Sequence, residues 1–414
     1  MNYVIIGNSA AGIGAVEGIR QIDKHGGITI VTNEPYHTYS RPLISYLLHG
    51  KVTEEKMQYR DAGFYEKNEC KLLSGVAASS VNSNEKYVLL ENGEKLHYDK
   101  LLVATGASAL VPEFEGLAKV KEKFTFMSLG DAYQLDKTID PSKNVLIVGA
   151  GLIGLKCAEG ILGRVQSVTV VDLAPGILSS ILDESGASLV QKHLENEGVK
   201  FLLSQSVARF EENAAVLDNG KRIDFDILVL AVGVSPNVGL LEGIAEIDKG
   251  IVINAKSETT AADIYAAGDC TQTLDISCGL KKIMAILPNA YIQGECAGIN
   301  KAGGEKTFEK AIPMNAIGFC GLSIITAGNY AGQAYTKSSV NEGNEGCEYK
   351  RLFYSENKLN GYIMVGNVEK AGIYTSLIRE QTPLESIDFA LVCEKPGLMA
   401  FTKEHRNSVL AQGD

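Results

Sequence analysis

The sequence predicts the α/β class, with two parallel sheets that each begin as strand, glycine turn and helix. Three observations carry that expectation. Apolar runs such as Val145–Val148 and Leu101–Val103 continue without alternation, as strands buried on both faces of a parallel sheet do. Glycine-rich turns at Gly7 and Gly149 follow two such runs, and a helix-like segment follows each turn. The two stretches also resemble each other about 140 residues apart, which marks an internal repeat.

Composition bounds the answer. At about 150 residues per domain, 414 residues make two to three domains. The chain is 45% hydrophobic and 21% charged, with 43 Gly against 10 Pro, a globular balance that excludes disorder, collagen and coiled coil. No apolar run approaches the roughly 18 residues of a membrane helix. The stretch Met1–Gly7 lacks a basic targeting region, so a cytoplasmic protein with no membrane partner is expected. A net charge of −11 argues against nucleic acid, which demands a basic footprint. The 8 cysteines form no CxxC pair and no zinc spacing, so they read as small buried hydrophobes and no metal site is expected.

The first repeat runs Tyr3–Gly7, then Asn8-Ser9-Ala10-Ala11-Gly12, a helix, and the strand Ile28–Val31 that ends at Asn33-Glu34. In such a turn the first glycine permits the tight bend. The second lets the backbone approach a pyrophosphate, and the third lets helix and strand pack closely. The helix N-terminus then offers free N–H groups to phosphate. Ser9 replaces the middle glycine, which fits if its hydroxyl faces solvent or phosphate. Glu34 is either a ribose-binding acid or a surface turn residue before Pro35.

The second repeat is more regular: Gly149-Ala150-Gly151-Leu152-Ile153-Gly154 precedes a helix and the strand Val168–Val171, which ends on Asp172. The acid follows Gly149 at close to the expected spacing of about 20 residues. Two further strands end in small-residue turns, Ala104-Thr105-Gly106 and Ala231-Val232-Gly233. A third, Ile264–Ala267, runs into Gly268-Asp269. Its carboxylate could accept from a ribityl hydroxyl or cap a helix.

With these elements in this order, the chain resembles the two-dinucleotide-domain flavoproteins of the pyridine-nucleotide disulfide oxidoreductase-like superfamily over essentially its whole length. The resemblance implies two Rossmann-like three-layer domains plus a C-terminal α+β domain. FAD would occupy a discontinuous domain, 1–110 and 240–310, and NAD(H) the inserted domain 111–239. Residues 311–414 would form an interface domain that dimerises or caps the flavin. By the same resemblance Gly7, Ser9, Ala10, Ala11, Gly12, Asn33, Glu34, Arg41, Pro42, Ala77, Ala104, Thr105, Gly106, Gly268 and Asp269 would surround FAD. Gly149, Gly151, Leu152, Ile153, Gly154, Asp172 and Gly233 would surround NAD(H).

The segment Tyr39-Ser40-Arg41-Pro42-Leu43-Ile44-Ser45-Tyr46 decides the branch. Disulfide reductases of the superfamily carry cysteines here and this chain has none, so electrons must leave the flavin directly. The Arg-Pro-x-x-Ser pattern is similar to rubredoxin reductases and oxygenase-type ferredoxin reductases. Tyr362–Tyr374 resembles the rubredoxin reductase and ferredoxin-linked NAD oxidoreductase group. The implied partner is a small iron–sulfur carrier, ferredoxin or rubredoxin, met by a basic rim drawn from Arg41, Lys51, Lys56, Lys281 and Lys282. The competing readings are an NADH oxidase forming peroxide and a flavin-based redox sensor. One departure stands out. Relatives pair a lysine after this pattern with a glutamate on the nicotinamide helix, where this chain has Tyr46 and Lys156. With Tyr46 and Lys156 as the candidate catalytic residues, Lys156 is then either the single positive charge near the flavin, or a solvated surface charge while Tyr46 simply packs.

Overall fold

Uninterrupted apolar runs become the centres of two five-stranded parallel sheets. The computed structural model describes residues 1–340, 347–397 and 400. In the first sheet the order is Ile264–Ala266, Lys100–Val103, Asn2–Ile6, Gly27–Thr32 and Cys70–Ser74, every neighbour parallel. In the second it is Val199–Leu202, Ser167–Val171, Asn144–Val148, Ile227–Leu230 and Lys123–Phe124, again all parallel. The first strand of each repeat is central. It is buried on both faces, which is why neither Tyr3–Ile6 nor Val145–Val148 alternates.

The repeat extends further than the glycine turns suggest. Each half also carries a three-stranded antiparallel meander, Ala78–Asn82, Tyr87–Leu90 and Lys95–His97 in the first and Val207–Phe210, Ala214–Leu217 and Arg222–Asp224 in the second. In the first half this makes three layers. Tyr3, Ile5, Ile28 and Ile30 face a helical layer. Val4, Ile6, Leu101 and Val103 face Val81, Val88 and Leu90 of the meander.

Four helices position the candidate site: α1 (Ala10–Ile22), α2 (Ile44–Leu48), α3 (Leu152–Ile161) and α4 (Leu287–Lys301). Helices α1 and α4 touch backbone to backbone. A Cβ at Gly14 would stand 2.3 Å from the Tyr291 carbonyl oxygen, and one at Gly294 would stand 1.9 Å from that of Ala11. Gly18 and Gly298 repeat the arrangement one turn on, at 2.4 Å from Glu295 O and 2.3 Å from Ala15 O. Only glycine leaves room for such an approach.

Two compact units emerge. The first comprises Met1–Pro175, Gly198–Leu274 and Lys281–Glu309, and holds both parallel sheets. The second comprises Gly176–Glu197, Asp275–Leu280 and the region from Lys310. It contains an antiparallel sheet ordered Met314–Phe319, Leu322–Gly328, Lys358–Val365, Cys347–Ser355 and Gln333–Val340. Helix α5 (Ala371–Arg379) packs Tyr374, Leu377 and Ile378 onto Leu352, Tyr362 and Met364 of that sheet. Within the same unit Asp183 caps the helix Glu184–Asn196, accepting from Gly186 N at 3.0 Å, and also accepts from Arg351 Nη1 at 2.7 Å and from the Tyr349 hydroxyl.

Gly298→Val is expected to cost several kcal/mol, enough to deplete folded protein, because two helix backbones must separate to admit the side chain. Gly372→Ala, on α5 where a Cβ meets nothing within 4 Å, is expected to be neutral or to stabilise by about 0.5–1 kcal/mol. Thermal midpoints of the two variants check both expectations.

Candidate dinucleotide sites

The two glycine turns have the same geometry. Gly7 has φ +120° and Gly149 has φ +116°, a region that L side chains seldom enter. A Cβ at Gly7 would lie 2.1 Å from Ala104 O, and one at Gly149 2.2 Å from Ala231 O. A Cβ at Gly12 would lie 2.0 Å from Gly7 O, and one at Gly154 the same 2.0 Å from Gly149 O. Helix and strand therefore meet through bare backbone in both halves. Gly151, by contrast, has nothing within 4 Å of a Cβ position. Space beside the start of α3 is open there.

The helix starts are free to receive an anion. Ser9 and Gly151 are the N-cap residues of α1 and α3, neither makes a side-chain capping bond, and neither first turn contains an acid. The leading N–H groups, with the positive end of each helix dipole, are left available to phosphate. Ala10, Ala11, Leu152 and Ile153 form these first turns.

The C-terminal ends of three parallel strands bring the first group of residues together. Gly7 N donates to Val31 O at 2.8 Å, Ala104 N to Ile6 O at 2.8 Å, and Ala267 N to Val103 O at 3.1 Å. The Thr105–Gly106 turn is held by Asn237, whose Nδ2 donates to Thr105 O at 3.0 Å and whose carbonyl accepts from Thr105 Oγ1 at 2.7 Å. The Gly268–Asp269 turn is held by buried Gln293 of α4, whose Oε1 accepts from Gly268 N at 2.8 Å. A strand, Thr271–Asp275, follows Asp269 rather than a helix, so the aspartate caps nothing. Burial pushes its carboxyl above the usual carboxylate range, and Arg41 works against that shift.

Glu34 is not a bare turn residue. It accepts from the Tyr39 hydroxyl at 2.6 Å and pairs with Arg41, whose Nη1 also donates to Met127 O at 3.1 Å. Asn8, Ser9, Glu34, His37 and Arg41 line one recess. His37 Nε2 is buried there and has no hydrogen-bond partner among the described residues. Asn33 and Pro42 are exposed. Ala77 precedes the first meander, where its carbonyl accepts from Glu91 N at 2.9 Å. In the second half Asp172 accepts from Ala150 N at 2.6 Å and from Ala174 N at 2.7 Å. Gly233, at φ +134°, has open space around its Cβ position.

Tyr46 and Lys156 come together where α2 packs on α3. The Lys156 ammonium stands 4.5 Å from the Tyr46 ring centroid and pairs with Glu159 one turn along the same helix. A Cβ at Gly160 would lie 2.9 Å from Ser45 O, and His49 Nδ1 lies 3.1 Å from Glu159 O. Lys51 approaches the same ring at 5.8 Å. Three described cysteines are held as thiols by burial. Burial raises Cys70 to about 11 and also raises Cys157 and Cys270, so these are protonated thiols at neutral pH.

Reading the sequence by motif misses Asn8, His37, Asn237, Gln293 and Glu159. Of these only Glu159 carried a local signal, an acid three residues after a lysine on a helix. The Gly14/Gly18 and Gly294/Gly298 spacings were likewise legible as two small-residue helix faces.

Comparison with known proteins agrees with this geometry. Residues 1–294 match the pyridine nucleotide-disulphide oxidoreductase model, and residues 313–382 match the rubredoxin NAD+ reductase C-terminal domain. The epsilon subunit of an NADH-dependent phenylglyoxylate dehydrogenase from Aromatoleum evansii is 31% identical over 398 residues, covering 92% of each chain. A rubredoxin-NAD(+) reductase from Pseudomonas putida is 29% identical over 366 residues, 87% of this chain and 94% of that one. The crystal structure of the covalent putidaredoxin reductase-putidaredoxin complex contains a chain with the same fold, at TM-score 0.87 and 21% identity, covering 100% of this chain and 99% of its own. By the extent of these matches, the chain belongs to the pyridine nucleotide-disulphide oxidoreductase family, the FAD-dependent oxidoreductases that use NAD(H).

Proposed function

We propose that the protein takes hydride from NADH through FAD and passes electrons singly to a small iron–sulfur carrier, a rubredoxin or ferredoxin. The observation that carries the proposal is the pair of matching glycine cradles, joined by the α2–α3 packing at a segment that contains no cysteine. Without a thiol relay on α2, a carrier outside the chain is the natural electron acceptor. The C-terminal match to the rubredoxin reductase domain supports that choice of acceptor.

The residues of the first half fit FAD. The open helix start at Ser9 suits the pyrophosphate, and Glu34, held by Arg41 and Tyr39, suits the adenosine ribose. Asp269, half-buried at the sheet edge, suits a ribityl hydroxyl, and the buried His37 Nε2 offers a further polar contact. FAD, when bound, supplies a centre that takes up hydride and gives up electrons one at a time. The chain's part is to hold and orient. Gly151 leaves room for the NADH pyrophosphate at α3, and Asp172 receives the ribose. Tyr46 and Lys156 occupy the seam between the two helices, where the ammonium would favour negative charge in the transition state. Exposed Lys51, Lys56 and Lys281 put positive charge on an otherwise acidic molecule, as an acidic carrier requires. Seven described cysteines without a disulfide fit a cytoplasmic setting.

NADH-reduced protein should be reoxidised faster by rubredoxin or ferredoxin than by dissolved oxygen in parallel stopped-flow assays. Faster reoxidation by oxygen would instead identify an NADH oxidase.

NADH should be preferred to NADPH. The Asp172 carboxylate is pinned by two backbone N–H groups with lone pairs left for a 2′-hydroxyl, and Leu173-Ala174 bring no cation for a 2′-phosphate. Replacing Asp172 by Asn should narrow the ratio of kcat/KM values by roughly tenfold or more. An unchanged ratio would remove Asp172 from the specificity determinants.

Lys156→Met should keep its FAD, because the residue is on α3, yet its flavin should bleach roughly tenfold more slowly with saturating NADH, about 1.4 kcal/mol of barrier. Equal bleaching rates would leave the lysine a packing residue.

A further inference from the structure

We propose that the second compact unit holds a further ligand site, in which Arg379 binds the carboxylate of a small monocarboxylic acid whose apolar body lies along the antiparallel sheet. The site is separate from the electron transfer proposed above, and its residues all lie in the region from Lys310. Tyr374, Leu377 and Ile378 form the buried side of helix α5. Gly372, Thr375, Ser376 and Arg379 follow one another at i, i+3, i+4 and i+7, which places them together on a different face. That face borders an open recess of about 500 Å³, floored by Met314, Ala316 and Ile325 of the first two strands. Small-molecule pockets fall in the range of about 300–1,000 Å³. A Cβ at Gly372 would meet nothing within 4 Å, so the recess stays open on its helix side.

The cation at the end of this face points to the ligand. A basic residue in the last turn of a helix commonly bonds the final carbonyls. Arg379 Nε instead is buried with no hydrogen-bond partner among the described residues. A buried charged donor left in that state is costly, and a bound acceptor relieves it. Burial raises the Tyr362 hydroxyl, while its bond with Thr375 and the Arg379 charge oppose the rise. The positive charge is therefore felt inside the recess. Tyr362 and Thr375 are occupied with each other at 2.7 Å, and Thr375 also with Ala371 O at 3.2 Å, which leaves recognition to the guanidinium. Charge then decides the class of ligand. Glu380 also lines the recess, but it pairs with Lys310 at 2.6 Å, and that pair is neutral. One positive charge remains among the described lining residues. It matches a monoanion, whereas a phosphate dianion would bring an unmatched charge beside the Glu380 carboxylate. A planar carboxylate accepts two parallel bonds from the guanidinium fork, and the apolar floor covers the hydrocarbon.

The test titrates the full-length, flavin-loaded protein by calorimetry with sodium octanoate and with octanamide, its uncharged match. Octanoate should bind at about one molecule per chain with a dissociation constant of about 1 mM or tighter. Octanamide should bind roughly tenfold more weakly or worse. Arg379→Met should weaken octanoate by roughly tenfold or more. Arg379→Lys should fall between, because it keeps the charge and loses the fork. Ala316→Phe and Gly372→Phe fill the recess from the sheet and from the helix with Arg379 in place, and both should abolish binding. Ala316 and Gly372 are exposed, so these two variants keep the test decisive if Arg379→Met proves unstable; thermal midpoints and flavin content report folding. Octanoate binding that survives Arg379→Met and both filling variants lies elsewhere and overturns the proposal. Octanamide binding as tightly as octanoate overturns it too, as does a wild-type protein that binds no octanoate. A wild-type protein that takes no octanoate and sediments as a dimer lost in Ala316→Phe would give the recess to a second copy of the chain.

Discussion

Close approach of one backbone to another, with no side chain between, is the constraint on which the molecule is built. At Gly7 and Gly149 a single methyl group would collide with the carbonyl oxygen of the neighbouring strand turn, at 2.1 and 2.2 Å. At Gly12 and Gly154 it would collide with the first glycine of its own turn, at 2.0 Å in both halves. These contacts set each helix start directly over the C-terminal edge of its sheet. The free N–H groups and the positive dipole end then converge where the strands finish, which is the place an open α/β sheet offers a dinucleotide. The glycines therefore fix helix position as well as clearing space.

The first half adds a second set of backbone contacts, between α1 and α4. Helix α4 lies on α1 through Gly14, Gly18, Gly294 and Gly298, and from that bed Gln293 reaches Gly268 N. A residue far along the chain thereby organises the Gly268–Asp269 turn beside Gly7 and Ala104. Because α4 arrives only after the whole second repeat, the first site is complete only when residues beyond 260 have docked. The second sheet carries its glycine turn, its acid and its third strand turn within residues 144–233, with no such dependence.

Charge at the helix crossing is arranged differently from charge at the helix starts. The first turns of α1 and α3 contain no acids, which leaves their N–H groups open. One turn further along α3, a lysine and a glutamate form a nearly buried pair against an aromatic ring of α2. The acid lies in the second half of α3, away from the open helix start. It still neutralises the ammonium in a place where water cannot. Geometry and electrostatics thus separate two jobs within ten residues of helix.

Local spacing determined what local physics can determine. Unalternating runs predicted buried parallel strands, and the paired glycine turns with Asp172 predicted two dinucleotide units. Each of these depends on residues within about 25 positions of one another, the reach of a strand–turn–helix–strand unit. Tertiary structure decided what depends on distant parts of the chain. It paired Glu34 with Arg41 and Tyr39, put Gln293 under Gly268, tied Asn237 to Thr105, and extended the repeat to the two meanders. It also placed Lys156 between the Tyr46 ring and the Glu159 carboxylate, where sequence left the choice open between a flavin-side cation and a solvated one. The reason is physical: a motif specifies backbone geometry that its own residues enforce, whereas the partner of a charge is whichever group packing brings within a few ångströms.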